Sequence, residues 1–282
     1  MKLLIAGKSF IGCNSLRHAR DMQAIGATGY TLLALPNAGD AAALSWEPSL
    51  RRTARQLDVN IVADIAAASL TAGDIFLSVE YDRKVRIEEL GGARAYNLHL
   101  AALPGYRGCL NSSWPLRNGE SAATATLHQL TEKMDAGPVI AARQFQVSPF
   151  HTAFDLYLLL QRHGFELLKE QFAGMLTADH VLQPQAAGQA VFYARDSIDF
   201  QALDVGDFER PARVVDGWVR SLIFPPRQFP RFGGRAIRGC ECIALPRRER
   251  HRPGQVATGS GSHAVIACAD GYVRFEFEGG WQ

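Results

Sequence analysis

The chain has 282 residues, 47% of them apolar and 21% charged, with 30 Lys and Arg against 28 Asp and Glu. This composition describes an ordinary globular protein with room for one large domain, or a medium and a small one. A net charge of +2 gives no overall basic surface for nucleic acid or anionic lipid. No stretch approaches the ~20 apolar residues of a membrane span, and the apolar run at 3–6 is too short for a signal-peptide core. Neither a membrane nor a nucleic-acid partner is therefore expected. The five cysteines are Cys13, Cys109, Cys240, Cys242 and Cys268. Their odd number, without a secretion signal, points to free thiols in a cytoplasmic protein. Cys240 and Cys242 lack a second pair at zinc-binding spacing, so no metal site is expected.

In chain order, residues 2–7 (KLLIAG) predict a buried strand, 11–25 a helix and 30–37 a strand. Residues 46–58 predict a helix with Pro48 early, where a missing N–H costs little. Short apolar runs at 59–64 and 74–79 predict two more strands. Strands alternating with helices imply an α/β fold, a Rossmann-like and mostly parallel sheet flanked by helices, with its chemistry at the carboxyl ends of the strands. The GKS at 7–9 is not a phosphate loop, because the first glycine of that motif would fall on Lys2. Lys8, Ser9 and Phe10 nonetheless follow the first strand, a ligand-facing position, and are candidate substrate-binding residues.

Further on, 122–130 and 138–147 read as strands, and 151–177 is the longest helical pattern, ending near Gly174. Residues 178–192 turn loose, with Pro, Gly and Gln, and read as a linker. The expected division is a first domain over 1–178, a linker over 179–192 and a smaller module over 193–282. That module should be α+β or barrel-like, with a helix at 206–223, the prolines 225, 226 and 230, and β segments at 235–245, 263–269 and 271–277. It holds 13 Arg, no Lys and 11 acidic residues. Its run RRERHR at 247–252 reads as a solvated loop.

The stretch NLHLAALPGYRG at 97–108 carries the functional signal. Alternate residues of a strand share a face, so Asn97 and His99 point together just before Pro104-Gly105. Around the pair stand Leu103-Pro104-x-Tyr106-Arg107-Gly108, Trp114 and Asn118-Gly119-Glu120, and later Asp135-Ala-Gly137-Pro-Val-Ile140 in a turn between two strands. With these motifs the sequence resembles the folate-dependent formyltransferases, which include glycinamide ribonucleotide, methionyl-tRNA and sugar N-formyltransferases. The detailed match runs over about 74–147. The resemblance implies a catalytic triad of Asn97, His99 and Asp135. It also implies 10-formyltetrahydrofolate as one-carbon donor, its pterin walled by the stretch at 77–85 and the loop before Asp135. Ser78, Val79, Tyr81, Lys84, Met134 and Gly137 are the candidate contacts. The acidic Glu80 and Asp82 depart from the apolar character expected of that wall.

The residue types suit the chemistry. An amide N–H of Asn97 meets charge developing on the formyl oxygen. Imidazole moves protons near neutral pH, and a carboxylate at Asp135 is expected to raise the His99 pKa. The acceptor amine is not fixed by the triad. The segment VVDGWVRSLIFPPRQFPRF at 214–232 and SWEPSLRR at 45–52 are similar to segments of sugar N-formyltransferases. The expected acceptor is therefore the primary amine of a nucleotide-linked, dTDP-type amino-deoxysugar, with Tyr106 and Arg107 as candidate contacts to sugar or diphosphate. An ornithine-type small amine, methionyl-tRNA and a non-catalytic folate-binding role remain alternatives. A formyltetrahydrofolate hydrolase would use the same triad behind a regulatory domain, which is not expected here. A homodimer is a further expectation.

Overall fold

The computed structural model describes residues 1–26, 29–40 and 46–278. Ser45 of the SWEPSLRR segment and residues 279–282 of the expected C-terminal module lie outside them. The chain divides into two compact units. One comprises Met1–Arg107, Thr124–Gln144 and Leu160–Phe192, and the other Gly108–Ala123, Phe145–Leu159 and Tyr193–Gln282.

The first unit is built on the alternation read from the sequence: β1 (Lys2–Gly7), α1 (Ser9–Ala24), β2 (Thr31–Pro36), α2 (Leu50–Gln56), β3 (Asn60–Ile61), α3 (Ile65–Ala68), β4 (Ile75–Val79) and β5 (Arg94–His99). Further along the chain come β6 (Arg107–Gly108), α4 (Trp114–Arg117), which belongs to the second unit, β7 (Ala122–Gln129), β8 (Val139–Gln146) and the long α5 (Ala153–Thr177), which the first unit takes up from Leu160. Seven strands form one sheet in the order β3-β2-β1-β4-β5-β7-β8. β1 lies parallel to both β2 and β4, and β5 is parallel to β4 but antiparallel to β7. Leu4, Ala6, Leu33, Leu35, Phe76 and Ala95 form part of a core on this sheet. Gly7, at φ +151°, is demanded by close packing: a Cβ there would come within 1.8 Å of the Val79 carbonyl oxygen on the neighbouring strand.

Two elements are shorter than their sequence patterns. The helix expected over 46–58 starts only at Leu50, because the Ser49 side chain caps it by accepting from Arg52 N. The strand expected over 59–64 stops after Ile61, because Asp64 caps the next helix by accepting from Ala67 N at 2.8 Å.

The second unit contains β9 (Phe192–Tyr193, from its Tyr193 on), α6 (Ala212–Arg220), β10 (Arg231–Phe232), β11 (Arg235–Ile243), β12 (Val256–Ser260), β13 (His263–Ala267) and β14 (Tyr272–Phe277). The last five make an antiparallel sheet in the order β10-β11-β14-β13-β12. Val215, Val219 and Ile223 join Ile237, Ile266, Val273 and Phe275 in one buried cluster on it. The helix expected over 206–223 is confined to Ala212–Arg220, since Pro211 takes the position before its first turn. β12 has no strand in the sequence reading; mostly exposed, with a register shift between Val256 and Thr258, it lacks clean alternation. Among the described residues no helix is long and apolar enough to cross a membrane.

Candidate active site

The register of the sheet builds a row of polar side chains across three strands. Asn97 on β5 lies opposite Ser78 on parallel β4 and opposite His128 on antiparallel β7. Two residues on, His99 lies opposite Thr126. Period two therefore sets Asn97 beside His128, with His99 on the same face. The chain then turns: Thr126 donates from Oγ1 to the Ala101 carbonyl at 2.7 Å, and Tyr106 N donates to Ala102 O at 2.9 Å. This turn brings the Tyr106 carbonyl within 2.7 Å of His99 Nε2.

Asp135 comes from the loop joining β7 and β8, which is closed by Gln129 N donating to Pro138 O at 3.0 Å. Its backbone is left-handed, φ +51°. Gly137 permits this loop, as a Cβ there would meet the Gln129 carbonyl at 1.8 Å. The loop sets Asp135 Oδ1 3.8 Å from His99 Nδ1, 3.7 Å from His128 Nε2 and 3.4 Å from Asn97 Nδ2. The three residues of the expected triad, from separate stretches of chain, therefore gather in one place. His99, His128 and Asp135 are 6%, 1% and 8% exposed, so water screens their charges weakly.

Hydrogen placement follows from the partners. A carbonyl oxygen only accepts, so His99 carries its hydrogen on Nε2, facing Tyr106 O, and presents the Nδ1 lone pair towards Asp135. His128 in the same way donates from Nδ1 to Gln129 O at 2.9 Å and presents Nε2 to Asn97 Nδ2 at 3.1 Å. Both groups facing the Asn97 nitrogen are acceptors, so its amide N–H pair points at them.

The charge state of His99 corrects the sequence reading. Burial pushes its pKa below the ordinary histidine value and outweighs the Asp135 carboxylate and the Tyr106 carbonyl, which push it up; His128 adds to the lowering. The predicted upward influence of Asp135 exists, but desolvation wins. His99 is a neutral base at neutral pH.

The remaining candidates fall in several places. Ser78 and Val79 are buried in β4, leaving chiefly their backbone to offer a ligand. Tyr81 packs against the sheet core, Lys84 is exposed, and Met134 is a 45% exposed apolar side chain next to Asp135. Ser9 is buried and donates from Oγ to Glu80 Oε2 at 2.5 Å, while Gln161 Nε2 donates to the same oxygen at 2.6 Å. Glu80 is thus engaged at the start of α1. Asp82 N donates to Asn37 Oδ1 at 3.4 Å. Lys8 Nζ is 3.6 Å from Glu47, and Phe10 is partly exposed. Arg107 is buried, its guanidinium donating from Nε and Nη2 to Gln185 Oε1 at 3.2 and 2.7 Å.

Sequence reasoning missed His128 and Gln185. His128 had a signal, the alternation of Thr124, Thr126 and His128 on one strand face, but its partner depends on a register that one strand does not reveal. Gln185 lay in the presumed linker. Among the described residues, no group of three or more His, Cys, Asp or Glu side chains could hold a metal ion.

Residues 87–171 match the family model described as formyl transferase. Over the whole chain the fold is similar to an N-formyltransferase from Helicobacter canadensis in complex with folinic acid and dTDP-3-aminofucose. That match has 24% identity and a TM-score of 0.87, covering 99% of this chain and 100% of the other. It is also similar to WlaRD, a sugar 3N-formyl transferase in the presence of dTDP and 5-N-formyl-THF, with 23% identity and a TM-score of 0.85 over 98% and 97% of the two chains. A variant of HypX from Aquifex aeolicus matches at 18% identity with a TM-score of 0.57, over 98% of this chain and 45% of that longer one. At these identities the likeness is one of fold.

Proposed function

We propose, starting from a formyl transferase domain that occupies residues 87–171, that this protein moves a formyl group from 10-formyltetrahydrofolate to the primary amine of a nucleotide-linked amino-deoxysugar. The observation that carries the transfer step is the gathering of half-buried Asn97 with buried His99 and Asp135 about one point, the His99 lone pair turned towards the carboxylate. The donor set fits a formyl group: an amide N–H for the carbonyl oxygen, a neutral imidazole for proton traffic and a carboxylate to balance the imidazolium. The exposed Met134 beside them offers apolar contact to a flat ring.

When bound, the folate supplies a formyl group attached to a nitrogen, which leaves as the amine replaces it. The chain's residues do the rest. Asn97 Nδ2, 3.4 Å from Asp135 Oδ1, turns the hydrogen that faces the carboxylate towards the formyl oxygen, while His128 Nε2 keeps the other. His99 Nδ1 accepts the proton that the attacking amine sheds and returns it to the departing nitrogen. Asp135, 3.8 Å away, stabilises the imidazolium during that interval. Neutral His99 at rest supports the histidine, rather than the carboxylate, as the first proton acceptor.

The acceptor class rests on full-length likeness to two enzymes whose structures contain dTDP-3-aminofucose or dTDP together with a formylated folate. The five free thiols fit a cytoplasmic setting. The test incubates the protein with 10-formyltetrahydrofolate and a panel of amino-sugar nucleotides, ornithine and methionyl-tRNA, and weighs the products. A sugar nucleotide heavier by one carbonyl group supports the reading. Formylation of ornithine or tRNA alone removes the sugar assignment, and no transfer to any amine removes the enzyme.

A further inference from the structure

The segment read from sequence as a linker is tied to the catalytic loop through one side chain. Gln185 Nε2 donates to the Asp135 carbonyl at 2.9 Å and to the Gly137 carbonyl at 2.7 Å. Its Oε1 accepts both Arg107 contacts, at 3.2 and 2.7 Å. All the hydrogen-bonding capacity of the amide is used: two hydrogens given and two accepted. Residues 181–184 and 186 are exposed, whereas Gln185 is half-buried, so the side chain turns inward from an outward-facing run. The segment is anchored on both sides. Gln183 and Val139 exchange backbone hydrogen bonds of 2.8 Å in both directions, and Arg107 N donates to Val191 O at 2.9 Å.

Asp135 needs such a hold. A left-handed aspartate is a minority conformation, kept only where its surroundings enforce it. We propose that Gln185 is a positioning residue for Asp135: by gripping the carbonyls of residues 135 and 137 and bracing on Arg107, it fixes the carboxylate beside His99. This rests on the formyl-transfer reading of the site. Arg107 then serves as a brace rather than a diphosphate ligand.

The experiment compares wild type, Gln185→Ala, Gln185→Glu and Asp135→Asn as full-length proteins, reading kcat, KM and Tm, and the imidazole titration of His99 by NMR. Gln185→Glu keeps an acceptor for Arg107 but cannot donate to the two carbonyls. It is expected to lower Tm modestly, through the two lost bonds, while kcat falls about 10- to 100-fold with KM nearly unchanged, the pattern of lost transition-state geometry. In Gln185→Ala the His99 midpoint should move to lower pH, because a displaced Asp135 carboxylate raises it less; Gln185→Glu brings a carboxylate of its own and is read by kcat alone. A Gln185→Glu variant with wild-type kcat, or an unmoved His99 midpoint in Gln185→Ala, overturns the proposal. If Asp135→Asn itself keeps the wild-type rate, the reading of the site fails, and the midpoint alone decides whether Gln185 positions the carboxylate.

Discussion

Each unit of this protein buries a carboxylate against a base, and the two pairs are built differently. In the second unit Asp216 Oδ2 takes Arg220 Nε at 2.9 Å and Nη2 at 2.8 Å, and Arg220 Nη1 also donates to His151 O at 2.8 Å. In the first unit Asp135 stands 3.4–3.8 Å from Asn97, His128 and His99. Two short charge-assisted contacts converging on one carboxylate oxygen, Oδ2, tie this pair to the protein itself and serve the fold. A cluster with longer separations keeps capacity for a reacting molecule and tightens when one binds. Burial acts on both: it raises the Asp216 pKa, against the pull of Arg220, and lowers that of His99, against the pull of Asp135.

Substitutions should separate these two constructions. The largest effect is expected from His99→Ala, which removes the proton carrier and should lower kcat by about 10³-fold, within the range of general acid–base catalysis. Its Tm should change little relative to that loss. Arg220→Leu should do the opposite. It strands the buried Asp216 and costs about 3–5 kcal/mol of stability by denaturant unfolding, with the lesion read in the unfolding midpoint. A stable Arg220→Leu protein would erase the contrast.

His128→Ala comes next: it frees the second hydrogen of the Asn97 amide and should reduce kcat about 10- to 100-fold by misorienting the donor. Measuring kcat and KM separately checks that the loss is not one of binding. The smallest effect is on pH dependence. His99 has a folded pKa below its unfolded one, so its neutral form favours folding in full above the ordinary histidine value. That contribution is lost as pH falls towards the depressed value, where the unfolded chain binds more protons. The acid limb of kcat/KM should accordingly lie below the usual histidine range, and a limb above that range would mean that desolvation does not govern this imidazole.

Much of this site could be read in the sequence, for a physical reason. Asn97 and His99 share a face because strand periodicity is local, and Pro104-Gly105 marks where the strand gives out. The alternation of β1, α1 and β2 likewise needs only nearby residues. Asp135 joined them through family resemblance, since nothing local says that a hairpin loop folds back over a strand 38 positions earlier. His128 escaped because cross-strand register is a property of pairing, and Gln185 because a Pro, Gly and Gln-rich run looks like a linker until its hydrogen bonds are seen. The direction of the His99 pKa shift escaped as well, because burial is tertiary: the carboxylate was visible in the sequence, the desolvation was not.

The most direct test of the proposed chemistry is the rate of formyl transfer by folded Asp135→Asn, with folate affinity measured alongside. The expected result is a fall in kcat of about 10²-fold or more, at nearly unchanged affinity, because the amide keeps the shape but loses the charge that supports the His99 imidazolium. A rate within a factor of about two of wild type would contradict it, since a charge change of that size beside a working imidazole cannot leave the barrier untouched.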